Sequence, residues 1–335
     1  MVAPSPMVSA LKLVVSAMKG KLKTDAVYDR VPPDSEYKVV DEIAKIYKSK
    51  KCDAIIAIGG GSVMDTAKGV NIVVSLGGDS IAQFEGAGAV RRKLKPLIAI
   101  PTTAGTGSEV TMAAVIANHD EKIKVAFMSG FLLPDIAVLD PRMTKTLPGH
   151  LTASTGMDAM THACEAYFCL AKNPLSDSTA LMAIELISRN LLNVVKKPGD
   201  LEGRLALANA ATLAGMSFSN SMVGMVHNLG HATGGVCNVP HGTCMSLFLP
   251  YGLEYNLHKA APVIGELLYP LAGAEVYAGT PENERPFKAI EYIRKMNQDL
   301  HDATGGRHFR FLKEIVDREG TVSYTHLTLP TKRIV

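Results

Sequence analysis

The sequence lacks two features that would direct it to a membrane or to nucleic acid. No apolar run in its 335 residues approaches the ~20 residues that a membrane-spanning helix needs. The formal net charge is only +3, and Lys332 and Arg333 near the C-terminus supply two of those charges. A balance this mild gives no reason to expect nucleic acid or an anionic membrane surface as a partner.

Cysteine is also scarce. The sequence has five cysteines: Cys52, Cys164, Cys169, Cys237 and Cys244. The N-terminal stretch has no basic segment ahead of its apolar residues and is interrupted by Lys12 and Lys19, so we interpret it as a helix rather than an export signal. An odd number of cysteines without such a signal predicts reduced thiols and a cytoplasmic location.

The length and the sequence texture predict two domains. A chain of 335 residues is long for one core, and 47% apolar with 20% charged residues is an ordinary globular composition. Residues 1–147 alternate short β-rich runs with helical stretches, which predicts an α/β dinucleotide-binding domain with a parallel sheet. The candidate strands are 53–58, 97–100, 124–127 and 136–140, and residues 38–51 form a candidate amphipathic helix.

Beyond Leu147 the sequence becomes rich in Ala, Leu, Met and Ser. The stretches 152–170, 175–197 and 201–219 have helical spacing, so we predict an all-helical domain over 148–321. We predict that both ends are incomplete. The chain opens without the strand and turn that usually begin a dinucleotide-binding domain, and C-terminal helices of the second domain are expected to be missing. Residues 322–335, VSYTHLTLPTKRIV, break the preceding helical pattern, and we predict that they are a non-native tail.

The segment GGGSVMDTAK (59–68) follows a predicted strand and opens a predicted helix. Three glycines let the backbone approach a ligand closely, and the free N–H groups of the next helix favour a phosphate. Ser62 and Asp65 resemble a capping box at that helix start. The alternative is a tight turn that binds nothing. A second loop, PTTAGTGSE (101–109), also leaves the carboxyl end of a strand, where open α/β sheets bind ligands, and the two loops together favour a dinucleotide.

Asp158 and His162 lie four residues apart on a predicted helix and share one face. His227 and His231 repeat that spacing, and His241 follows shortly after. One carboxylate with several imidazoles is a ligand set for Fe(II) or Zn(II). The alternatives are a helix-surface pair for Asp158 and His162, and satisfied core histidines for the others. The trio Cys237, His241 and Cys244 is a further candidate zinc site, although it lacks a paired CxxC.

Five motifs in this order resemble the iron-containing (group III) alcohol dehydrogenase family over about residues 25–320. They are GGGSVMDTAK, PTTAGTGSE, PDIAVLDP (134–141), GMDAMTHACEAY (156–167) and MVHNLGHATGGVCNVPHG (225–242). The resemblance implies the dehydroquinate synthase-like fold, with an N-terminal α/β dinucleotide-binding domain and an all-α C-terminal domain.

The resemblance also implies roles for individual residues. The positions that match metal ligands are Asp158, His162, His227 and His241, and His231 matches a histidine that helps to move a proton. The positions that match cofactor contacts are Gly60, Gly61, Ser62, Asp65, Thr102, Thr103, Thr106, Lys124 and Leu139.

The activity implied is hydride transfer between an alcohol held at the metal and a nicotinamide cofactor, NAD or NADP, with Fe(II) or Zn(II) as the metal. The resemblance further implies a small alcohol or aldehyde substrate and a homo-oligomer. The alternatives are a glycerol-dehydrogenase-like or dehydroquinate-synthase-like enzyme of the same superfamily, and an inactive nucleotide- or metal-binding fragment.

Overall fold

The structure, a computed structural model, describes residues 1–4, 8–18, 26–86, 88–121, 123–237 and 239–319. The strands are β1 (Val2–Pro4), β2 (Tyr28–Val31), β3 (Ile55–Gly59), β4 (Leu97–Pro101), β5 (Ala113–Asn118), β6 (Ile123–Met128) and β7 (Ile136–Ala137). The helices are α1 (Val8–Met18), α2 (Tyr37–Ser49), α3 (Gly61–Leu76), α4 (Pro141–Thr144), α5 (Gly149–Phe168), α6 (Pro174–Lys196), α7 (Leu201–Ser221), α8 (Met225–Cys237), α9 (His241–Glu266), α10 (Leu268–Ala272), α11 (Ala274–Gly279), α12 (Arg285–Ala303) and α13 (Leu312–Glu319).

The first part of the chain is built on a parallel sheet in the order β2-β1-β3-β4-β7. Strands β3 and β4 lie at its centre and are apolar throughout because both faces of the sheet are covered. These two strands and α2 confirm the sequence predictions. Their carboxyl ends lead directly into the two candidate ligand loops, so the topology places both loops at one edge of the sheet.

The N-terminal segment corrects one prediction. Val8–Met18 is helical as expected, but Val2–Pro4 is a strand that pairs in parallel with both β2 and β3. A short strand therefore does open the described chain, which corrects the interpretation of this segment as a helix alone, while the expectation that the usual first strand–helix unit is missing stays a prediction. Its three residues are too few to show a periodic pattern, and only the pairing with its neighbours identifies the segment as a strand.

The predicted strand at 124–127 exists as β6, but it is not part of the parallel sheet. It pairs antiparallel with β5, which the sequence analysis did not identify, in a separate two-stranded sheet. The connection spans only four residues, 119–122, and a parallel pairing would need a crossover of about a dozen or more.

The predicted strand at 136–140 shortens to β7. Val138 still donates its N–H to the Ala99 carbonyl, at 2.8 Å, but Asp140 already caps the next helix by accepting from the Arg142 N–H.

The second part of the chain is helical, and α5, α6 and α7 confirm the three predicted stretches. Helix α5 lies at the centre of this part and is buried along most of its length. A Cβ on its Gly156 would lie 2.4 Å from Leu191 of α6, so this position has no room for a side chain. Among the described helices, none is both long and apolar enough to cross a membrane.

Close contacts join the two parts of the chain. Gly107 of the second loop has φ +62° and packs against Gly215 of α7. A Cβ on Gly107 would lie 2.7 Å from the Gly215 Cα atom. Thr212 of the same helix donates a hydrogen bond of 2.7 Å to Glu109. The predicted domain boundary at 147/148 falls between α4 and α5 and stays a prediction, and the predicted tail at 322–335 lies outside the described residues.

Candidate metal and cofactor site

The two loops at the edge of the sheet contact each other directly. The N–H of Thr102 donates to the carbonyl oxygen of Gly59 at 2.9 Å, which extends the pairing of β3 and β4 into the loops. A Cβ on Gly60 would lie 3.0 Å from Thr103 Oγ1. Gly60 and Thr103 therefore pack too closely for an ordinary side chain at the glycine.

The start of α3 faces the open side of these loops. Gly60 is the N-cap residue in an extended conformation, and the helix begins at Gly61. A Cβ on Gly61 would lie 2.8 Å from Thr106 Cγ2, so the second loop covers this residue. The first N–H groups of α3 have no carbonyl partner within the helix, and the positive end of its dipole favours an anion there.

The capping box expected at Ser62 and Asp65 is not formed. The helix begins earlier than that motif requires, and Gly60 makes no side-chain cap. Ser62 Oγ instead accepts from the N–H of Asp34 at 3.1 Å. The Asp65 carboxylate accepts from Ser108 Oγ at 2.8 Å and from the Val115 N–H at 3.0 Å, which ties the glycine-loop helix to the second loop and to β5.

Lys68 is a buried residue of this region that the sequence analysis did not single out. Its ammonium contacts Ser108 Oγ at 2.9 Å, Ala113 O at 2.8 Å, and both the carbonyl and the hydroxyl of Thr111 at 2.9 and 3.0 Å. Burial lowers its pKa to about 8, against the opposing effect of Asp65. One feature of the sequence could have identified Lys68: it lies one helical turn after Asp65, inside the motif GGGSVMDTAK.

The glycine loop and the histidines line one cleft of about 270 Å³. Its α/β wall includes Gly61, Ser62, Asp65, Thr106 and Lys124, and its helical wall includes His162, Phe218, Val223, His227, His231 and His241. Lys124 pairs with Asp34 at 3.0 Å on the α/β side. Four predicted cofactor contacts, Gly60, Thr102, Thr103 and Leu139, are not among the residues that line the cleft. The structure thus brings together most, but not all, of the predicted cofactor contacts.

Four of the predicted ligands meet at the helical wall. Their donor atoms on Asp158, His162, His227 and His241 all lie within 4.8 Å of one another, and this is the one such group of three or more His, Cys, Asp or Glu residues within the described ranges. Helix α5 supplies the first two residues, α8 supplies the third, and α9 begins with the fourth. We call these four residues the quartet.

Asp158 Oδ1 is the atom on which the imidazoles converge. It lies 3.3 Å from His241 Nε2, 3.9 Å from His227 Nε2 and 4.0 Å from His162 Nδ1. The rings of His162 and His227 stack with centroids 4.4 Å apart, and Phe218 stacks on the other face of His162. This packing fixes the rings, so the ring nitrogens are held in place before any ligand binds.

Three polar atoms of the quartet are buried without a hydrogen-bond partner in the described part of the chain. They are Asp158 Oδ1, His162 Nδ1 and His227 Nε2. Leaving a buried polar atom unsatisfied costs about 1–3 kcal/mol, and native structures contain few such atoms. A divalent metal among the three would satisfy all of them together. The residues therefore fit the metal that this ligand chemistry calls for.

The protonation states also suit a metal. Burial lowers the pKa of His162 to about 3, so its ring is neutral and its lone pair is free at neutral pH. Burial alone would raise the pKa of Asp158, but the neighbouring histidines, His162 first, outweigh it and hold the pKa below its usual range. His241 behaves differently: burial alone would lower its pKa, but the neighbouring Asp158 carboxylate outweighs burial and raises it. Asp158 and His162 are therefore in the forms that bind metal, whereas a metal at His241 has to compete with a proton.

The quartet opens to the cleft on one side. The His241 side chain is 37% exposed, whereas that of Asp158 is 3% exposed. His231 is exposed on the cleft wall, with its ring stacked on His241 at 5.0 Å. Partial burial, together with His241 and His227, lowers the pKa of His231 to about 4, so its ring is neutral at pH 7. An open side next to a neutral imidazole is the arrangement of a catalytic rather than a structural metal site.

The candidate zinc site at Cys237, His241 and Cys244 is not formed. His241 belongs to the quartet, whereas Cys244 is buried and contacts the Val239 carbonyl through its thiol. Burial raises the pKa of Cys244 to about 12, which disfavours the thiolate. Cys164 is buried in α5 and Cys169 is half-buried at its end.

Comparison with known families identifies the chain. The family model "Iron-containing alcohol dehydrogenase" matches residues 2–141, and the model "Fe-containing alcohol dehydrogenase family, C-terminal" matches residues 152–309. The chain therefore belongs to the iron-containing alcohol dehydrogenase family, which confirms the resemblance seen in its motifs. Members of this family are metal-dependent oxidoreductases that act on alcohols, and this chain is one of them.

Three relatives illustrate the similarity. The chain is 36% identical over 278 residues to alcohol dehydrogenase 4 of Saccharomyces cerevisiae, covering 82% of this chain and 70% of the relative. A solved 1,3-propanediol oxidoreductase superposes with a TM-score of 0.86 at 33% identity, covering 89% of this chain and 78% of that one. A sulfoacetaldehyde reductase of Bifidobacterium kashiwanohense, solved with NAD+, gives a TM-score of 0.75 at 27% identity, covering 95% of this chain and 88% of that one.

Proposed function

We propose that this chain interconverts small alcohols and their aldehydes, with NAD as the hydride carrier and Fe(II) held by the quartet. The observation that carries the proposal is the position of the quartet's three unsatisfied atoms. Two of them belong to His162 and His227, which line the same cleft as a glycine loop at a helix N-terminus, and the third, Asp158 Oδ1, lies 4.0 and 3.9 Å from those two nitrogens. A metal site and a phosphate-binding loop that share one cleft can hold an alcohol next to a dinucleotide.

The residues of the α/β wall would hold the cofactor. The N–H groups at Gly61 and Ser62 would bind the pyrophosphate, because they begin α3 and have no partner within the helix. Thr102, Thr103 and Thr106 belong to the second loop, which packs on the first. Asp65 acts by holding the two loops together, since both of its carboxylate oxygens already accept hydrogen bonds.

The residues of the helical wall would bind the metal and the reacting alcohol group of the substrate. When bound, Fe(II) supplies Lewis-acid polarisation of the alcohol oxygen and NAD takes up the hydride. Asp158 and the three imidazoles would hold the metal, and His241, with its side chain 37% exposed, lies on the side of the quartet that faces the cleft. His231, which lines the cleft with its ring stacked on His241, would take the alcohol proton. Phe218 and Val223 are the apolar side chains that exclude water there.

The finer choices of cofactor and substrate are proposals of the same kind. NAD is favoured over NADP because a similar structure was solved with NAD+, and Fe(II) is favoured over Zn(II) because of the family. A short alcohol is favoured because a 1,3-propanediol oxidoreductase is among the similar structures. A homo-oligomer and a cytoplasmic location stay predictions from the sequence.

The test is oxidation of NADH and NADPH by anaerobically purified, Fe(II)-loaded protein with a panel of short aldehydes. We expect metal-dependent turnover that is faster with NADH, and a weaker response after loading with Zn(II). His241→Ala should lose metal and turnover together. His231→Ala should keep its metal and lose turnover by about 10²–10⁴-fold, the usual contribution of a general acid or base. Normal turnover by a metal-free His241→Ala protein would overturn the proposal, and a folded, metal-loaded chain without turnover would favour the inactive fragment.

A further inference from the structure

Glu165 is a buried carboxylate next to the quartet that the proposed chemistry does not use. It lies on α5, on the same face as Asp158 and His162, three residues beyond the second of them. Its side chain is fully buried at 0% exposure. A carboxylate is costly to bury unless each oxygen is well paired, so its partners show what it does.

Within the described ranges, the hydrogen bonds that Glu165 accepts come from the start of α8. The Val226 N–H donates to Oε1 at 2.6 Å, and the His227 N–H reaches Oε2 at 3.3 Å. Helix α8 begins at Met225, so both N–H groups lie in a first turn that has no intrahelical carbonyl for them. A side chain of α5 thus caps α8, and its negative charge lies at the positive end of that helix dipole.

The same carboxylate contacts the His227 ring. Oε2 lies 2.5 Å from His227 Nδ1, and because an ionised carboxylate can only accept, the ring must carry its proton on Nδ1. The other nitrogen, Nε2, is then unprotonated. This is the atom 3.9 Å from Asp158 Oδ1 that has no hydrogen-bond partner among the described residues. The contact therefore sets the tautomer in which Nε2 can bind a metal.

The turn between α7 and α8 is shaped around this carboxylate. A Cβ on Gly224 would lie 2.8 Å from Glu165 Oε1, so a glycine is needed for the turn to pass over it. Two residues earlier, Met222 adopts φ +77°, a conformation unusual for a residue with a side chain. The backbone thus takes an unfavourable conformation where it brings the start of α8 onto Glu165.

We propose that Glu165 is a positioning residue for the metal. It locks His227 in the Nδ1-protonated tautomer and holds α8 in register with α5, so that ligands from two helices converge. The inference rests on the metal site proposed above. Removing a residue that orients a metal-bound histidine typically weakens metal binding by about 10–100-fold, and that loss is what we expect for Glu165→Gln.

The test compares the Zn(II) affinity of metal-free wild-type and Glu165→Gln protein by chelator competition. Glutamine keeps the size and can still accept a backbone N–H through its carbonyl oxygen. Its amide nitrogen, however, cannot accept from His227 Nδ1. Glu109→Gln is the matched control, because Glu109 is equally buried, accepts from Thr212 and contacts no member of the quartet. We expect a 10–100-fold loss for Glu165→Gln and an unchanged affinity for Glu109→Gln.

The outcomes separate the two proposals. A wild-type protein that binds no Zn(II) through the quartet overturns the metal site itself. Equal affinities for wild type and Glu165→Gln overturn the role of Glu165 alone. If Glu165→Gln fails to fold, the tautomer of His227 can be measured instead, from ¹⁵N spectra of histidine in metal-free wild-type protein. The His227 signals are assigned by comparison with His227→Asn. We expect the His227 proton on Nδ1, and a proton on Nε2 would contradict the proposal.

Discussion

The α/β wall of the cleft contributes the glycine loop with Asp65 and Lys124, whereas the helical wall contributes four histidines beside Phe218 and Val223. Buried charged groups lie at both walls, but they differ in whether their hydrogen bonds are satisfied. In the α/β wall, Asp65 and Lys68 have their hydrogen bonds supplied by the neighbouring loop and β5. In the helical wall, Asp158, His162 and His227 each keep one buried atom without a partner.

The difference shows which groups maintain the fold and which await a ligand. A satisfied buried charge ties segments together and needs nothing further. An unsatisfied group costs stability until something binds it, so a cluster of them marks a binding site. The two walls should therefore be separable by mutation: changes in the helical wall should affect the metal, and changes in the α/β wall should affect the dinucleotide.

The largest effect should come from Asp158→Ala. This change removes the only carboxylate of the quartet, so we expect loss of metal and a fall in turnover on the order of a thousand-fold, about 4 kcal/mol of metal assistance. Metal content and steady-state rates check this, with Asp158→Asn as the variant that keeps the size and loses the charge. NADH binding, followed by fluorescence titration, should persist. A parallel loss of NADH binding would show that the two walls are not independent.

A smaller effect, on the pH dependence of stability, should come from replacing His308. This histidine is buried in the helical part of the chain and, unlike His162, has hydrogen-bond partners for its ring nitrogen. Its Nε2 lies 3.0 Å from Ser246 Oγ and 3.2 Å from Asn297 Oδ1. Burial lowers its pKa from 6.5 to about 4. The unfolded chain therefore binds more protons between these values, and stability present above pH 6.5 is lost as the pH falls toward 4.

This shift corresponds to about 3 kcal/mol of unfolding free energy. We expect denaturant unfolding of His308→Gln to lose less stability between about pH 7 and pH 4 than the wild type does, by up to that amount. The other histidines titrate in both proteins and cancel in the difference. An identical pH dependence in the two proteins would show that His308 is not held neutral by burial.

In the α/β wall, Gly61→Val should weaken NADH binding without removing metal. The added side chain would meet Thr106, where a Cβ alone already lies 2.8 Å from Cγ2. Overpacking of this kind costs about 1–3 kcal/mol, and if it is felt in NADH binding this is about 5–150-fold in affinity. Gly130→Val is the control, because a Cβ there meets nothing within 4 Å. Loss of metal from Gly61→Val, or equal NADH affinities for both variants, would contradict the separation of the walls.

The smallest effect should come from Lys124→Met. Lys124 pairs with Asp34 at 3.0 Å, but the two side chains are 48% and 68% exposed. Exposed pairs contribute about 0–1 kcal/mol, so the free energy of unfolding should change by less than about 1 kcal/mol. Equilibrium denaturation measures this directly. A loss well above that limit would mean that the α/β wall also depends on charge pairing.

Local spacing explains what could be predicted from the sequence. Asp158 and His162 share a helix face, and the glycine loop follows a buried strand, so both features are visible in short windows. The convergence of His227 and His241 on the same oxygen was implied only by the resemblance to the family. Spacing within α8 and α9 says nothing about how those helices pack against α5.

The features that the sequence did not reveal depend on distant contacts. Glu165 becomes important through α8, more than 60 residues away in the chain, and Lys68 through the loop and strand about 40 residues away. The 124–127 strand was placed in the parallel sheet because an apolar run carries no information on pairing direction. Gly60, Thr102, Thr103 and Leu139 were included as cofactor contacts by resemblance, and none of them is among the residues that line the cleft.

The most direct test of the central claim, that the unsatisfied atoms of the quartet bind a metal facing the cleft, is anomalous diffraction at the iron edge from crystals of Fe(II)-loaded protein. We expect one strong peak with Asp158 Oδ1, His162, His227 Nε2 and His241 all as ligands, and with its open side toward Gly61 and Ser62. A peak at Cys237 and Cys244, or no peak while the four side chains keep their positions, would contradict the claim.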